Sequence, residues 1–175
     1  MGIIDGYLFV YLDDLGAPAT VMGACLATIC AIELPVFMYS GAILNALGHT
    51  GALNVALGAF CVRLAAYSVL NFAPSPWFVV PVELLHGLTF GIAWSAGVNY
   101  CKTMAPIGLE ATAQGLFQST YAGLGRSFGG LIGGLLYESV GPAIMFRLAC
   151  LWTCVAWVMI AAVQHVLKRA TVQRR

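Results

Sequence analysis

Charge is what this chain has least of. Only 9% of its 175 residues are Asp, Glu, Lys or Arg, against 61% hydrophobic, and the formal net charge is +1. A balance that small gives no electrostatic basis for binding nucleic acid or an acidic lipid surface. Paired or metal-spaced cysteines are lacking too. Cys25, Cys30, Cys61, Cys101, Cys150 and Cys154 all lie within or at the ends of apolar segments, with no CxxC, so they read as packing residues, and neither a metal nor a cofactor is expected. Met1 is followed by no basic region, so no secretory signal peptide is read. Of the myristoylation pattern only Gly2 is present, because Gly6 stands where Ser or Thr is required. Long connections are also missing: residues 13–18, 45–51, 71–76, 102–110 and 138–140 leave nothing that could hold a soluble domain.

What fills the chain instead is apolar sequence, with Gly at 20 positions. Crossing ~30 Å of hydrocarbon as a helix takes ~20 apolar residues. Five complete stretches meet that length, at about 19–44, 52–72, 77–101, 111–137 and 141–167. A sixth, 1–12, stops at Asp13-Asp14 and is too short to span, so Met1 is expected to be a start within a longer gene product. The fold class is therefore all-α, a polytopic membrane helical bundle over 1–167 with its first helix truncated, followed by a basic tail at 168–175. Lys168, Arg169, Arg174 and Arg175 in that tail place the C-terminus in the cytoplasm by the positive-inside bias, which puts Lys102 on the same side and Asp13, Asp14 and Glu138 outside. Pro35 and Pro81 lie inside apolar stretches, two residues from Glu33 and Glu83, and each is expected to bend its helix.

Glu33, Arg63, Glu83, His86 and Arg126 each sit inside one of these apolar stretches. A charge at mid-membrane costs at least ~2.5–3.5 kcal/mol, so such residues face a protein interior or a water-filled path and pair with one another. At ~100° per residue, Glu83, His86, Phe90, Trp94 and Gly97 share one helix face, which aligns a carboxylate, an imidazole and an aromatic platform. Glu83 and His86 are close enough to share a proton, and His titrates nearest to physiological pH. A structural ion pair that only orients helices is the competing reading of the same residues. Arg63 lies on a stripe with Ala52, Ala56, Ala59, Ala66 and Tyr67, and Arg126 on one with Gly115, Ser119, Ala122, Gly123, Gly130 and Gly133. Small neighbours point both arginines into the bundle, where they would balance Glu33 and Glu83. Arg147 is instead expected to snorkel to the interface as an anchor.

Gly125, Gly129 and Gly133 form an overlapping GxxxG pattern, a helix-packing signal. The G-x-S-x-G match at Gly125 to Gly129 lies mid-helix, where no strand-to-helix turn fits, and His165 lies at the far end of the last helix. Glu83-x-x-His86 resembles half of a di-iron site, but no second pair completes it. No enzyme is read from this chain.

These residues, in this order, resemble the C-terminal half of a major facilitator superfamily transporter, in its lactose permease-like and domain-containing-protein-6-like branch. The resemblance covers nearly the whole chain. It is carried by Asp13-Asp14-Leu15-Gly16, Glu33, Asn45-Ala46-Leu47-Gly48, Val62-Arg63 and Leu85-His86-Gly87. Ala113-Gln114-Gly115, Gly123-Leu124-Gly125-Arg126 and Tyr137-Glu138-Ser139-Val140-Gly141 complete it. It implies that Glu33, Arg63 and His86 stand where such symporters keep groups for proton coupling and solute recognition, with Arg126 at a basic position. The pattern departs at Thr89 and Phe90, where a second glutamate would follow the histidine, and Glu83 lies one turn before it instead. The expected function is secondary active transport, a proton-coupled symport by alternating access. Glu33, Glu83 and His86 would handle protons, Arg63 and Arg126 would pair charge or substrate, and Trp94 and Phe90 would line the site. The expected partners are a small polar solute of sugar or nucleoside type, protons, the bilayer, and an N-terminal six-helix half in the same longer chain or in a partner. The alternative is a non-transporting receptor or scaffold, or a half-transporter that needs its partner half.

Overall fold

Backbone placed in hydrocarbon must satisfy its hydrogen bonds internally, and helices do this residue by residue. The computed structural model is accordingly helical, with no strand among the described residues. It describes the backbone of residues 1–173 and the side chains of residues 1–165; the charges of the basic tail at 168–175 lie outside the described side chains.

Among the described residues the helices form six rods. The first is α1 (Gly2–Asp14) and the second is α2 (Ala19–Met38), which continues through Tyr39 into the start of α3 (Ser40–Ser68). The chain then reverses inside α3 at Gly48, whose φ of 65° and ψ of 170° are not helical. That left-handed φ is open to glycine and strained for other residues. Helix resumes at once, so the connection expected over 45–51 is a one-residue break, and the third rod is 49–68. Its length still meets the hydrocarbon requirement.

Pro76–Phe78 opens the fourth rod as a 3-10 turn; α4 (Val79–Glu83), a π-helical stretch at Gly87–Ile92 and α5 (Ala93–Met104) follow. The fifth rod is α6 (Glu110–Gln118), a second π-helical stretch at Ser119–Gly125, and α7 (Arg126–Val140). Its junction residues Gln118, Ser119, Gly125 and Arg126 all keep right-handed helical angles, so the rod is unbroken. The sixth is α8 (Pro142–Gln173). By length and composition, four helical stretches among the described residues suit a membrane crossing: Ala19–Met38, Ser40–Ser68, Pro76–Met104 and Pro142–His165.

Packing joins α3 to α8, α1 to α7, and the fourth rod to both α2 and α3. One apolar core lies near the Asp13–Ala17 turn and draws on Leu8, Leu12, Val21, Leu64, Tyr67 and Phe146. A second, near the Gly48 turn, consists of Leu44, Ala52, Ile92 and Ala96. Along each of α2, α3 and the fourth rod, the stretch between these two clusters carries the ionisable residues. On the α1–α7 seam, a Cβ on Gly129 would lie 3.0 Å from Gly2 Cα, and one on Gly133 2.8 Å from the Tyr7 ring. Tyr7 donates its hydroxyl to Gly130 O at 2.8 Å on the same seam. A Cβ on Gly125 would meet only Thr120 O of its own helix, at 3.4 Å, a looser position than Gly129 or Gly133.

Candidate functional site

Arg63 is the centre of the polar layer between the two cores, with a side chain only 1% exposed. Every nitrogen of its guanidinium is used. Nε donates to the Tyr67 hydroxyl at 2.5 Å, Nη2 donates to Glu83 Oε2 in an ion pair, and Nη1 reaches both His86 Nδ1 at 2.9 Å and Thr89 Oγ1 at 3.1 Å. Tyr67 passes its own hydrogen to Glu83 Oε1, so both carboxylate oxygens of this fully buried residue are satisfied. Local helix geometry assembles the set. Tyr67 stands one turn after Arg63 on α3, and Thr89 three residues after His86 on the fourth rod, both spacings that place side chains on one helix face.

His86 extends the run to α2, where its Nε2 lies 2.9 Å from Glu33 Oε1. An arginine can only donate. Nδ1 therefore accepts from Arg63, and the imidazole hydrogen is on Nε2, given to Glu33. A second proton on Nδ1 would set two donors against each other, whereas a proton on Glu33 costs no hydrogen bond in the run. Glu33 is also the open end, its side chain 24% exposed against 0% for Glu83.

Glycine brings the two rods this close. A Cβ on Gly87 would lie 2.8 Å from Ile32 Cγ1 and 3.0 Å from Val36 Cγ2, and one on Gly91 2.7 Å from Val36 Cγ1. Gly87→Ala is thus expected to push the fourth rod off α2, lowering stability by ~1–3 kcal/mol, the usual cost of overpacking. Thermal melting of the purified full-length protein would read the loss, and adding Ile32→Ala should return much of it. A melting temperature equal to the parent's would show that the approach at Gly87 is not tight.

Arg126 is placed elsewhere than expected. It pairs with Asp5 of α1, Nε to Oδ2 at 3.1 Å, with side chains 48% and 35% exposed, and does not bond Glu33 or Glu83. Of the buried groups, Arg63 is thus paired with Glu83, while among the described residues Glu33 bonds His86 and no arginine. Glu83 and His86 likewise share no hydrogen bond among the described residues, because Arg63 stands between them. Sequence reasoning gave no role to Asp5, Tyr67 or Thr89. Asp5 was visible as a carboxylate in an apolar run, and Tyr67 as a hydroxyl four residues from Arg63.

Phe90 and Trp94 continue from His86 as an aromatic ladder, with ring centroids 5.5 Å apart at each step. The fifth rod adds Phe117 and Tyr121, 5.4 and 5.5 Å from Trp94. Phe90 and Tyr121 lie within the two π-helical stretches, a distortion that recurs at functional sites. Towards the Gly48 turn the ladder borders a cavity of about 410 Å³ lined by His49, Thr50, Tyr100, Phe117, Tyr121 and Gln164. That volume falls within the range of small-molecule sites. Among the described residues no cluster of three or more metal-ligating side chains occurs.

A family model described as the MFS_1 like family matches residues 1–148. The chain belongs to that family. Membership makes it a multi-pass, all-helical membrane protein of a transporter family, consistent with the apolar rods. Among relatives, it is 26% identical over 147 residues to a mouse protein named Major facilitator superfamily domain-containing protein 6-like, covering 84% of this chain and 25% of the relative. It is 26% identical over 148 residues to the Maltose permease of Geobacillus stearothermophilus, covering 83% and 37%. It is 25% identical over 142 residues to Uncharacterized transporter YwbF of Bacillus subtilis (strain 168), covering 81% and 35%. The chain thus spans about a quarter to a little over a third of the length of these relatives. No solved structure matches it.

Proposed function

We propose that this chain forms one half of a secondary transporter that carries a small polar solute together with a proton by alternating access. The observation that supports this reading is the continuous run from Glu33 through His86 and Arg63 to Glu83, open at one end and sealed at the other. With His86 neutral, the run carries one positive and two negative charges. A proton on Glu33 brings it to zero. A neutral layer crosses the low-dielectric transit between inward and outward states at lower cost than a charged one, so proton binding biases that equilibrium. Glu33 is then the residue that takes and releases the proton, His86 relays its position to Arg63, and the Arg63–Glu83–Tyr67 cluster anchors the layer.

Phe90 and Trp94, joined by Phe117 and Tyr121, offer ring faces to a sugar or nucleoside beside this layer. The solute site is completed by a second six-helix half, since sites in such folds lie between repeats near the bilayer midplane. The Gly48-turn end, which also carries Lys102, faces the cytoplasm in this reading. One relative's name, Maltose permease, makes maltose the first probe. Uridine is the second.

The test is uptake of radiolabelled maltose and uridine by the full-length protein in proteoliposomes, with and without an inward proton gradient. Uptake driven by the gradient and abolished by a protonophore is expected for one probe. Trp94→Ala should then raise KM roughly two- to tenfold, the equivalent of the ~0.5–1.5 kcal/mol of an aromatic stacking contact. Gradient-independent uptake would contradict the coupling, and saturable binding without flux would favour a receptor.

A further inference from the structure

Three cysteines that the transport reading does not use meet at the α3–α8 seam. Cys61 of α3 and Cys154 of α8 have their sulfurs 3.2 Å apart, and the Cys150 thiol donates to Cys61 O at 3.4 Å. All three are free thiols. The seam is held in register by contacts on its Gly48-turn side. Trp157 Nε1 donates to Asn54 Oδ1 at 2.9 Å, and the Trp157 ring rests on Gly58, where a Cβ would come within 3.1 Å. Rods held this way keep the two sulfurs facing each other. Closing the gap to a covalent S–S bond takes about 1.2 Å of further approach. Cys150 is aimed at a backbone carbonyl instead.

We propose that Cys61 and Cys154 form an intramembrane dithiol that a membrane-soluble hydroperoxide oxidises to a disulfide, tying α3 to α8. In the first step the sulfur of one cysteine attacks the terminal oxygen of the hydroperoxide. The O–O bond breaks, the alcohol leaves with the thiol's proton, and a sulfenic acid forms. In the second, the partner sulfur attacks the sulfenic sulfur, the S–O bond breaks, and the oxygen leaves as water with the second thiol's proton. Two thiols and one hydroperoxide give one disulfide, one alcohol and one water, a two-electron exchange. The half-buried face of Cys154 on α8 gives an oxidant dissolved in the lipid a route to the pair. Since Cys61 lies two residues from Arg63, the bond would fix the rod that carries the centre of the polar layer.

The experiment uses the full-length protein in its native membranes, treated with cumene hydroperoxide and then alkylated and mapped by peptide mass spectrometry. The expected result is a crosslinked peptide pair containing Cys61 and Cys154, with Cys30 and Cys101 still alkylated. Cys150→Ser should leave the crosslink intact, whereas Cys61→Ser or Cys154→Ser should abolish it, and a reductant should restore both thiols. Equal alkylation of Cys61 and Cys154 before and after treatment would overturn the proposal. So would a crosslink through Cys150, or oxidation of single cysteines to sulfonic acid with no crosslink.

Discussion

Arg63→Gln in the full-length protein is expected to abolish stable assembly. The substitution leaves Glu83 fully buried with Tyr67 as its remaining partner, and takes the donor away from His86 Nδ1 and Thr89 Oγ1. Breaking a buried pair by removing one member costs ~3–5 kcal/mol, because the surviving charge stays desolvated. That is a large part of the ~5–15 kcal/mol by which folded proteins are stable. Size-exclusion chromatography of the detergent-extracted variant should show aggregate or no material. Arg63→Gln combined with Glu83→Gln should recover a monodisperse peak, since the amide at position 83 can still accept from Tyr67 and no charge is stranded. A single variant that melts with the parent would show that the arginine is not the anchor of this layer.

Glu33→Gln carries the second large effect, on coupling rather than folding. The amide oxygen still accepts from His86 Nε2, so the seam between α2 and the fourth rod survives, while the group proposed to take the proton is gone. In proteoliposomes the variant is expected to exchange labelled for unlabelled solute at near the parental rate. It should not accumulate solute against a gradient, the ratio of inside to outside falling to about one, because nothing links solute movement to the proton gradient. Wild-type accumulation in this variant would move the proton site elsewhere. Loss of exchange along with accumulation would give Glu33 a role in holding the solute or the fold.

The outline of the fold was legible because the length of an apolar run measures a hydrocarbon layer directly. Residues 19–44, 52–72, 77–101, 111–137 and 141–167 overlap the second to sixth rods, with ends displaced by a few residues. Less visible was how the rods are built. A single glycine, Gly48, replaces the expected 45–51 connection. The π-helical stretches at Gly87–Ile92 and Ser119–Gly125 leave no period that composition reveals. Glu33, Arg63, Glu83 and His86 stood out because charge inside an apolar run is costly. Their partners did not, because pairing depends on which rods adjoin. The reading that set Arg126 against Glu33 and Glu83 assumed that all buried charge meets in one place. The α1–α7 contact gives Arg126 its own carboxylate, Asp5, on a helix read as too short to span. The Gly87 approach to Ile32 and Val36, which sets the His86–Glu33 distance, was likewise a matter of neighbours rather than of local pattern.

In the proposed mechanism Glu33, and not Glu83, is the carboxyl that takes the proton. Difference infrared spectroscopy of the full-length protein in lipid, between alkaline and acidic buffer, reads protonated carboxyl groups directly. Compared with the parent, Glu33→Gln should lack one protonated-carboxyl band that appears on acidification, and Glu83→Gln should keep it. A band that survives in Glu33→Gln and vanishes in Glu83→Gln would contradict the account, making the sealed Arg63–Glu83 pair the site of protonation and leaving Glu33 as its structural support.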